Sequence, residues 1–344
     1  NKVRIGSFCK VRRGASPRPI DNPNYFGGDV GWIRISDVTK SFKYLNKTEQ
    51  YVSPLGESLS VRVDKGDLVM SICGTIGRPI IINIPSCIHD GFVQLYDIKD
   101  ANKEYLYYIL QHHEKDLERK GQPGTQVNLN TTIVENFEIY FPAKPVQSKI
   151  ARILSTADAV IEKTQAAIAK YKAIKQGMLQ DLFTRGIDLK TNKLRPRFDD
   201  APELYKESKL GMIPREWEVE RLGNRATIEY GKSQKAVVSL NGTIPVYGTG
   251  GLMEFATDFL FNGESILIGR KGTIDKPLYI NGKFWTVDTA YYLTFFSGNV
   301  RWLHSQLENY NLRRLNEATG VPSINRETLY NIILAFPKNT EQDE

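Results

Sequence analysis

Hydrophobic and polar positions follow two different rhythms along this chain. Residues 145–183 read PVQSKIARILSTADAVIEKTQAAIAKYKAIKQGMLQDLF, with Pro145 at the start and no further Pro or Gly until Gly177. Every seventh residue from Ile150 gives Ile150, Ala157, Thr164, Tyr171 and Met178, and the companion series is Leu154, Ile161, Ile168, Lys175 and Leu182. That spacing predicts the seam of a coiled coil over nearly five heptads, interrupted at Lys175, where Ile174 can substitute. Pro145 suits the first helical turn, where its missing N–H costs nothing. A helix over residues 145–183 spans about 58 Å at the helical rise. Such a rod is far longer than a typical domain helix, and a seam this narrow calls for a partner helix. The plainer alternative is that it packs on its neighbouring domains.

Elsewhere the apolar runs are short and bounded by Gly. LVMSI and ILIG read as buried strands. Residues 11–31 carry Gly14, Gly27, Gly28 and Gly31 with Pro17, Pro19 and Pro23, which predicts a loop. Over residues 104–120, Leu106, Ile109, Leu110 and Leu117 recur at helical spacing and predict one helix.

These segments occur twice. GDLVMSICGTIGRPIII (residues 66–82) is answered by GESILIGRKGTIDKPLYI (263–280), and EYLYYILQHHEKDL (104–117) by RWLHSQLENYNLRR (301–314). VNLNTTIVENFEIYFP (127–142) is answered by PSINRETLYNIILAFP (322–337), and VRIGSF by ERLGNR. Four matches in one order mean two copies of one domain flanking the rod. The expected fold class is α+β: two similar mostly-β domains separated by a long coiled-coil-type helix. The boundaries are 1–142 for the first domain, 143–186 for the helix, 187–218 for a linker and 219–344 for the second domain.

Composition adds a partner class. At 344 residues, 41% hydrophobic and 10% aromatic, the chain can build two ordinary cores. No apolar run approaches the roughly 18 residues that span a bilayer, so no membrane partner is expected. Cys9, Cys73 and Cys87 are scattered, which suits a reducing, cytoplasmic compartment. Cys87-Ile88-His89 and His112-His113 supply too few ligands for a metal site, and no cofactor is expected. The net charge of +7 points to a polyanion. Its excess lies on the rod: residues 143–190 hold 9 Lys and Arg against 4 Asp and Glu, whereas residues 1–142 hold 18 against 16. The globular parts must therefore bind through local patches.

The central helix FPAKPVQSKIARILSTADAVIEKTQAAIAKYKAIKQGMLQDLFTRG resembles that of the specificity subunit of type I restriction–modification enzymes. GWIRISDV, GDLVMSICGTIG and IPVYGTGGLMEF are similar to the core of that family's target recognition domains, and YKESKLGMIPREWEVERLG to its lead-in to such a domain. The resemblance implies two recognition domains, each reading one half of a split double-stranded DNA target, held apart by long helices. It further implies docking of modification subunits, which carry the methyltransferase chemistry, and of motor–nuclease restriction subunits, with no catalytic residue in the chain itself. The family has a second long helix after the second domain. Here the sequence stops at FPKNTEQDE, where that helix should begin, and it starts at Asn1 without the lead-in. A trimmed or fragmentary chain is the expectation, and a naturally shortened subunit that dimerises is the alternative.

Groove readout needs forked or amide side chains, with phosphate contacts from Lys and Arg. In the first copy the candidates are Lys10, Arg12, Arg13 and Arg18 on the predicted loop, with Arg34 and Arg78 on turns nearby. KGQPGTQVN adds Lys120, Gln122, Gln126 and Asn128. The second copy offers Lys232, Ser233, Gln234, Lys235 and Tyr247, then Arg270, Lys271, Arg313 and Arg314. Solvated surface charge is the plainer reading of any one of them. The rival classes are a DNA methyltransferase or nuclease in its own right, and a coiled-coil adaptor. Asn22-Pro23-Asn24-Tyr25 lacks the second proline of the N-P-P-Y loop of adenine methyltransferases. Tyr230-Gly231-Lys232-Ser233 has Ala226 where a phosphate loop needs Gly. An adaptor would not need two elaborate β domains. The loops of the two copies differ in length, so the copies are expected to read different half-sites.

Overall fold

The structure is a computed structural model that describes residues 1–121 and 128–344. The chain forms two compact units, Asn1–Gln165 and Ala166–Glu344, and the division falls inside one helix.

Unit 1 opens with β1 (Lys2–Arg4), β2 (Lys10–Arg13), β3 (Phe26–Ile33), α1 (Ile35–Lys40), β4 (Tyr44–Leu45), β5 (Gln50–Val52) and α2 (Pro54–Ser58). Next come β6 (Val61–Val63), β7 (Leu68–Ser71), β8 (Pro79–Ile82), β9 (Ser86–Ile88) and β10 (Phe92–Tyr96). Helices α3 (Lys103–His112), α4 (Glu114–Lys120) and α5 (Thr131–Asn136) lead to β11 (Glu138–Tyr140) and the long α6 (Lys144–Thr184). A five-stranded sheet has the order β2-β10-β7-β8-β4, and a four-stranded sheet the order β5-β3-β9-β6. Successive residues of β7 face opposite ways. Leu68 and Met70 join Leu106 and Leu110 of α3, whereas Val69 joins Ile33 of β3 and Ile88 of β9. This two-sided burial explains why β7 and β8 read as continuous apolar runs rather than alternating ones.

Two local expectations change. Much of residues 11–31 is strand, because its glycines accept close backbone approaches: a Cβ at Gly28 would lie 2.2 Å from the Val52 carbonyl oxygen. The single helix expected over 104–120 is two, α3 and α4, meeting at His113.

Unit 2 begins with the short pairs β12 (Ile187–Asp188) with β13 (Lys193–Leu194), and β14 (Tyr205–Ser208) with β15 (Gly211–Pro214). Its remaining elements are β16 (Glu218–Arg221), β17 (Ala226–Tyr230), β18 (Ile244–Gly248), β19 (Gly251–Ala256), β20 (Phe261–Gly269), β21 (Leu278–Thr286), β22 (Ala290–Phe295), α7 (Val300–Asn309), α8 (Arg326–Tyr330), β23 (Ile333–Phe336) and α9 (Asn339–Asp343). The six-stranded sheet runs β17-β22-β20-β21-β18-β19. Buried Glu341 takes Arg195 Nη2 at 3.0 Å and Trp217 Nε1 at 3.1 Å, tying the end of the unit to its lead-in.

The repeat extends to register. Val3 faces Ile139 in the β1–β11 pair, and Glu220 faces Leu334 in the β16–β23 pair. Trp32 faces Cys87 across a parallel pairing, and Val246 faces Trp285 likewise. A Cβ at Gly14 would lie 2.1 Å from the His89 carbonyl oxygen, and one at Gly231 would lie 2.0 Å from that of Val287. Only glycine fits at either place.

Helix α6 is 41 residues long, about 62 Å at the helical rise. Its first turns belong to unit 1, where Gln147 and Ala151 are buried and Lys43 Nζ donates to Ser155 Oγ at 2.8 Å. Its later turns meet α7 of unit 2, through Lys175 with Glu308 at 3.0 Å and Gln176 with Asn309 at 2.7 Å. Between these anchors the seam is open. Leu154, Ala157, Ile161, Thr164, Ile168, Tyr171 and Met178 are exposed, while Ile150 and Leu182 are half-buried. Ile153, Val160 and Ile174 widen the exposed apolar face to a third position per heptad. Among the described residues, no helix is long and apolar enough to cross a membrane.

Candidate nucleic-acid interface

Strand ends collect the candidate residues in each unit. In unit 1, Arg13 closes β2 opposite Val93 at the start of β10, and Ile33 at the end of β3 lies beside Ile88 at the end of β9. Arg13, Arg34 and the turn His89-Asp90-Gly91 therefore share one end of the unit. Arg13 Nε donates to the Asp90 carbonyl at 2.6 Å. Arg18 Nη2 lies 3.1 Å from Asp90 Oδ2, and Ser16 Oγ donates to Asp90 Oδ1 at 2.7 Å. The Ser16 hydroxyl, and after it the Arg18 charge, hold the Asp90 carboxyl below its usual range. Burial, more than the neighbouring charges, lowers the basicity of His89, which packs between Trp32 and Phe92. Arg34 forks onto Gln50 Oε1 at 2.6 and 3.0 Å.

Other unit 1 candidates lie apart. Lys10 sits at the opposite end of β2, paired with Asp97 at 2.9 Å. Arg12 donates to Gln94 Oε1 at 2.5 Å and to the Arg62 carbonyl at 3.1 Å, and covers the Tyr96 ring. Both side chains thus also brace the sheet. Arg78 is half-buried in the β7–β8 turn, Lys120 is exposed at the end of α4, and Asn128 is exposed. Gln122 and Gln126 lie outside the described residues. Asn22, in the stretch weighed as a methyltransferase loop, accepts from the Asn24 N–H and caps a turn, while Tyr25 donates to the Arg18 carbonyl. Both act within the fold.

Unit 2 presents the corresponding end. Tyr230 at the end of β17 faces Tyr291 of β22, Gly269 at the end of β20 faces Ala290, and Tyr247 lies beside Thr286. The Lys232 N–H donates to the Thr286 carbonyl, as the Ala15 N–H does to that of Ile88 in unit 1. Lys232, Ser233 and Lys235 are exposed there, and Gln234 is half-buried. Arg270 and Lys271 follow β20. Arg313 lies 3.9 Å from Asp275, and Arg314 covers the Tyr310 ring.

Sequence reasoning did not place Tyr230 and Arg326 of unit 2, or Ser16, His89 and Asp90 of unit 1, at this end; Tyr230 and His89 figured only in motifs of other chemistry, and strand register is what brings all five here.

The protein is thus a tandem pair of α+β domains joined through one long helix, each displaying polar and basic side chains at the same strand ends. The chain belongs to the type I restriction modification DNA specificity domain family, whose model matches residues 1–171 and 214–344. It is 27% identical over 302 residues to the type I restriction enzyme MjaIX specificity subunit of Methanocaldococcus jannaschii, covering 81% of this chain and 67% of that protein. It is 26% identical to the MjaVIII specificity subunit of the same organism, over 67% of this chain and 50% of that one. The chain thus spans between half and two thirds of these two relatives. The crystal structure of a type I restriction–modification S subunit from M. genitalium shares the fold, with a TM-score of 0.67 and 15% identity over 99% of this chain and 86% of that one.

Proposed function

We propose that this chain is the DNA-reading subunit of a type I restriction–modification complex and that its two units read the two halves of a split double-stranded target. The carrying observation is one scaffold, used twice, with different chemistry at the same end. Arg13, Arg18 and Asp90 stand there in unit 1, and Tyr230, Arg270 and Arg326 in unit 2. Shared backbone register with divergent loop side chains is what two readers of two sequences require. The chain itself carries no chemistry in this reading; modification subunits supply methyl transfer, and restriction subunits supply the motor and nuclease. The exposed apolar face of α6 takes a partner helix and offers the dock, and its length sets the gap between half-sites. Such a complex works in the cytoplasm, where the DNA is.

The test is selection of bound duplexes from a randomised pool, repeated with the two β domains exchanged about α6. Two short sequence blocks that trade places on exchange support the reading, whereas an unchanged order of blocks overturns it. Arg13→Ala should cost about 1–3 kcal/mol at one base pair where it reads a base.

A further inference from the structure

We propose that Arg270, Lys271 and Arg326 of unit 2 form a phosphate-binding site that grips the DNA backbone independently of sequence, a site that unit 1 lacks. The inference rests on the DNA-reading function proposed above.

Tyr230 organises the site. The Arg270 guanidinium lies 5.4 Å from the centroid of its ring and that of Arg326 lies 4.9 Å away. Stacking on an aromatic ring engages the guanidinium faces and leaves N–H edges available to an anion. Beside them is a pocket of about 170 Å³ whose wall includes Tyr230, Arg270, Lys271, Tyr291, Ser323 and Asn325. Among the described residues, none of the three cations has a carboxylate within 4.0 Å, and Arg326 Nε is buried without a hydrogen-bond partner. Among the described residues, the Arg270 guanidinium makes one long bond, 3.4 Å, to the Asp288 carbonyl. Glu317 also lines the pocket, but its oxygens already accept from Asn325 Nδ2 at 2.9 Å and Thr328 Oγ1 at 2.6 Å. Three cations outnumber the two acidic residues beside them, Glu317 at the pocket and Asp288 next to Arg270.

Size and charge select the ligand. Pockets that enclose a whole small molecule run to about 300–1,000 Å³, so this one suits a phosphate group better than an extruded base. Base edges present neutral donors and acceptors, whereas a phosphodiester oxygen matches clustered cations through charge-assisted bonds. Unit 1 has Arg13 at the strand position of Tyr230, and Thr131 after the capping Asn130 where unit 2 has Arg326 after Asn325. Both units carry an aspartate at this turn, Asp90 in unit 1 and Asp288 in unit 2, so the difference between them lies in the cations.

The experiment measures binding of the full chain to a duplex of arbitrary sequence over a range of salt concentrations, with Arg326→Gln, Arg270→Gln and the exposed Lys271→Gln. Each variant should weaken binding several-fold and reduce the slope of log K against log salt by about one. The sequence recovered by pool selection should stay the same. Lys271→Gln keeps the test open should either arginine variant fail to fold. A wild-type slope in all folded variants, or a changed preference at a base pair, overturns the site while leaving DNA reading intact. Failure of the wild-type chain to bind any duplex overturns both.

Discussion

Gln147 and Gln342 hold the same place in the two domains. Each is buried, and each side chain bridges two backbone groups. Gln147 accepts from the Asn102 N–H at 2.8 Å and donates to the Pro142 carbonyl at 2.8 Å. Gln342 accepts from the Asn299 N–H at 3.0 Å and donates to the Pro337 carbonyl at 2.9 Å. Asn102 and Asn299 cap α3 and α7, so each glutamine ties the helix that follows its Phe-Pro pair, α6 or α9, to the capped helix.

Gln147→Leu therefore strands two part-buried backbone groups, at up to about 1–3 kcal/mol each. Urea unfolding should show that loss in the transition of unit 1, with faster hydrogen exchange at the Asn102 amide. Wild-type stability and exchange would mean that the clamp is incidental.

The Asp90 turn should respond to acid. Its folded pKa lies below the ordinary 3.8, held there by Ser16 and Arg18. The unfolded chain consequently takes up the proton first as pH falls. The carboxylate's stabilisation is full above the ordinary value and is lost as pH falls through the folded one. Wild type should exceed Asp90→Asn in stability at neutral pH, and the two unfolding curves should converge in strong acid. A difference that does not vary with pH would contradict the assignment.

Much of this architecture can be read from the residues, and what escapes has physical causes. The heptads of α6 and the repeated apolar blocks are periodic, and periodicity survives without coordinates. The repeated Phe-Pro pairs also carry a signal, since Gln147 and Gln342 stand at the same distance beyond them. Residues 11–31 mislead because glycine marks both a loop and a strand that its neighbours approach closely; at Gly28 the neighbour is the Val52 backbone, and at Gly31 it is the Ser86 and Thr48 side chains. The break at His113 has no Gly or Pro to announce it. At the interface, Lys10 and Arg12 look as free in the sequence as Arg13, and only the sheet shows that Asp97 and Gln94 engage them. Tyr230 and Arg326 meet through tertiary packing, which no local pattern records.

The open face of α6 predicts a separation of stability from assembly. Ile161 and Ile168 are 46% and 49% exposed, so Ile161→Glu and Ile168→Glu should change the stability of either unit by no more than about 0.5 kcal/mol. Charge in the seam should nevertheless block pairing with a partner helix. Co-purification with the modification subunit is expected to fail for the double variant while thermal unfolding stays the same. Normal assembly would place the dock elsewhere.

The central claim, two readers held apart by a helical spacer, is tested most directly by lengthening α6. Two heptads inserted between Ala157 and Ile174, where the helix is largely exposed, keep the seam in phase and add about 21 Å. At the rise of B-DNA this allows up to about 6 base pairs. Selection of bound duplexes, with the matching insertion in the partner helix, should return the same two half-site sequences with a longer gap between them. Half-sites at the original spacing, or a single uninterrupted block, would contradict it.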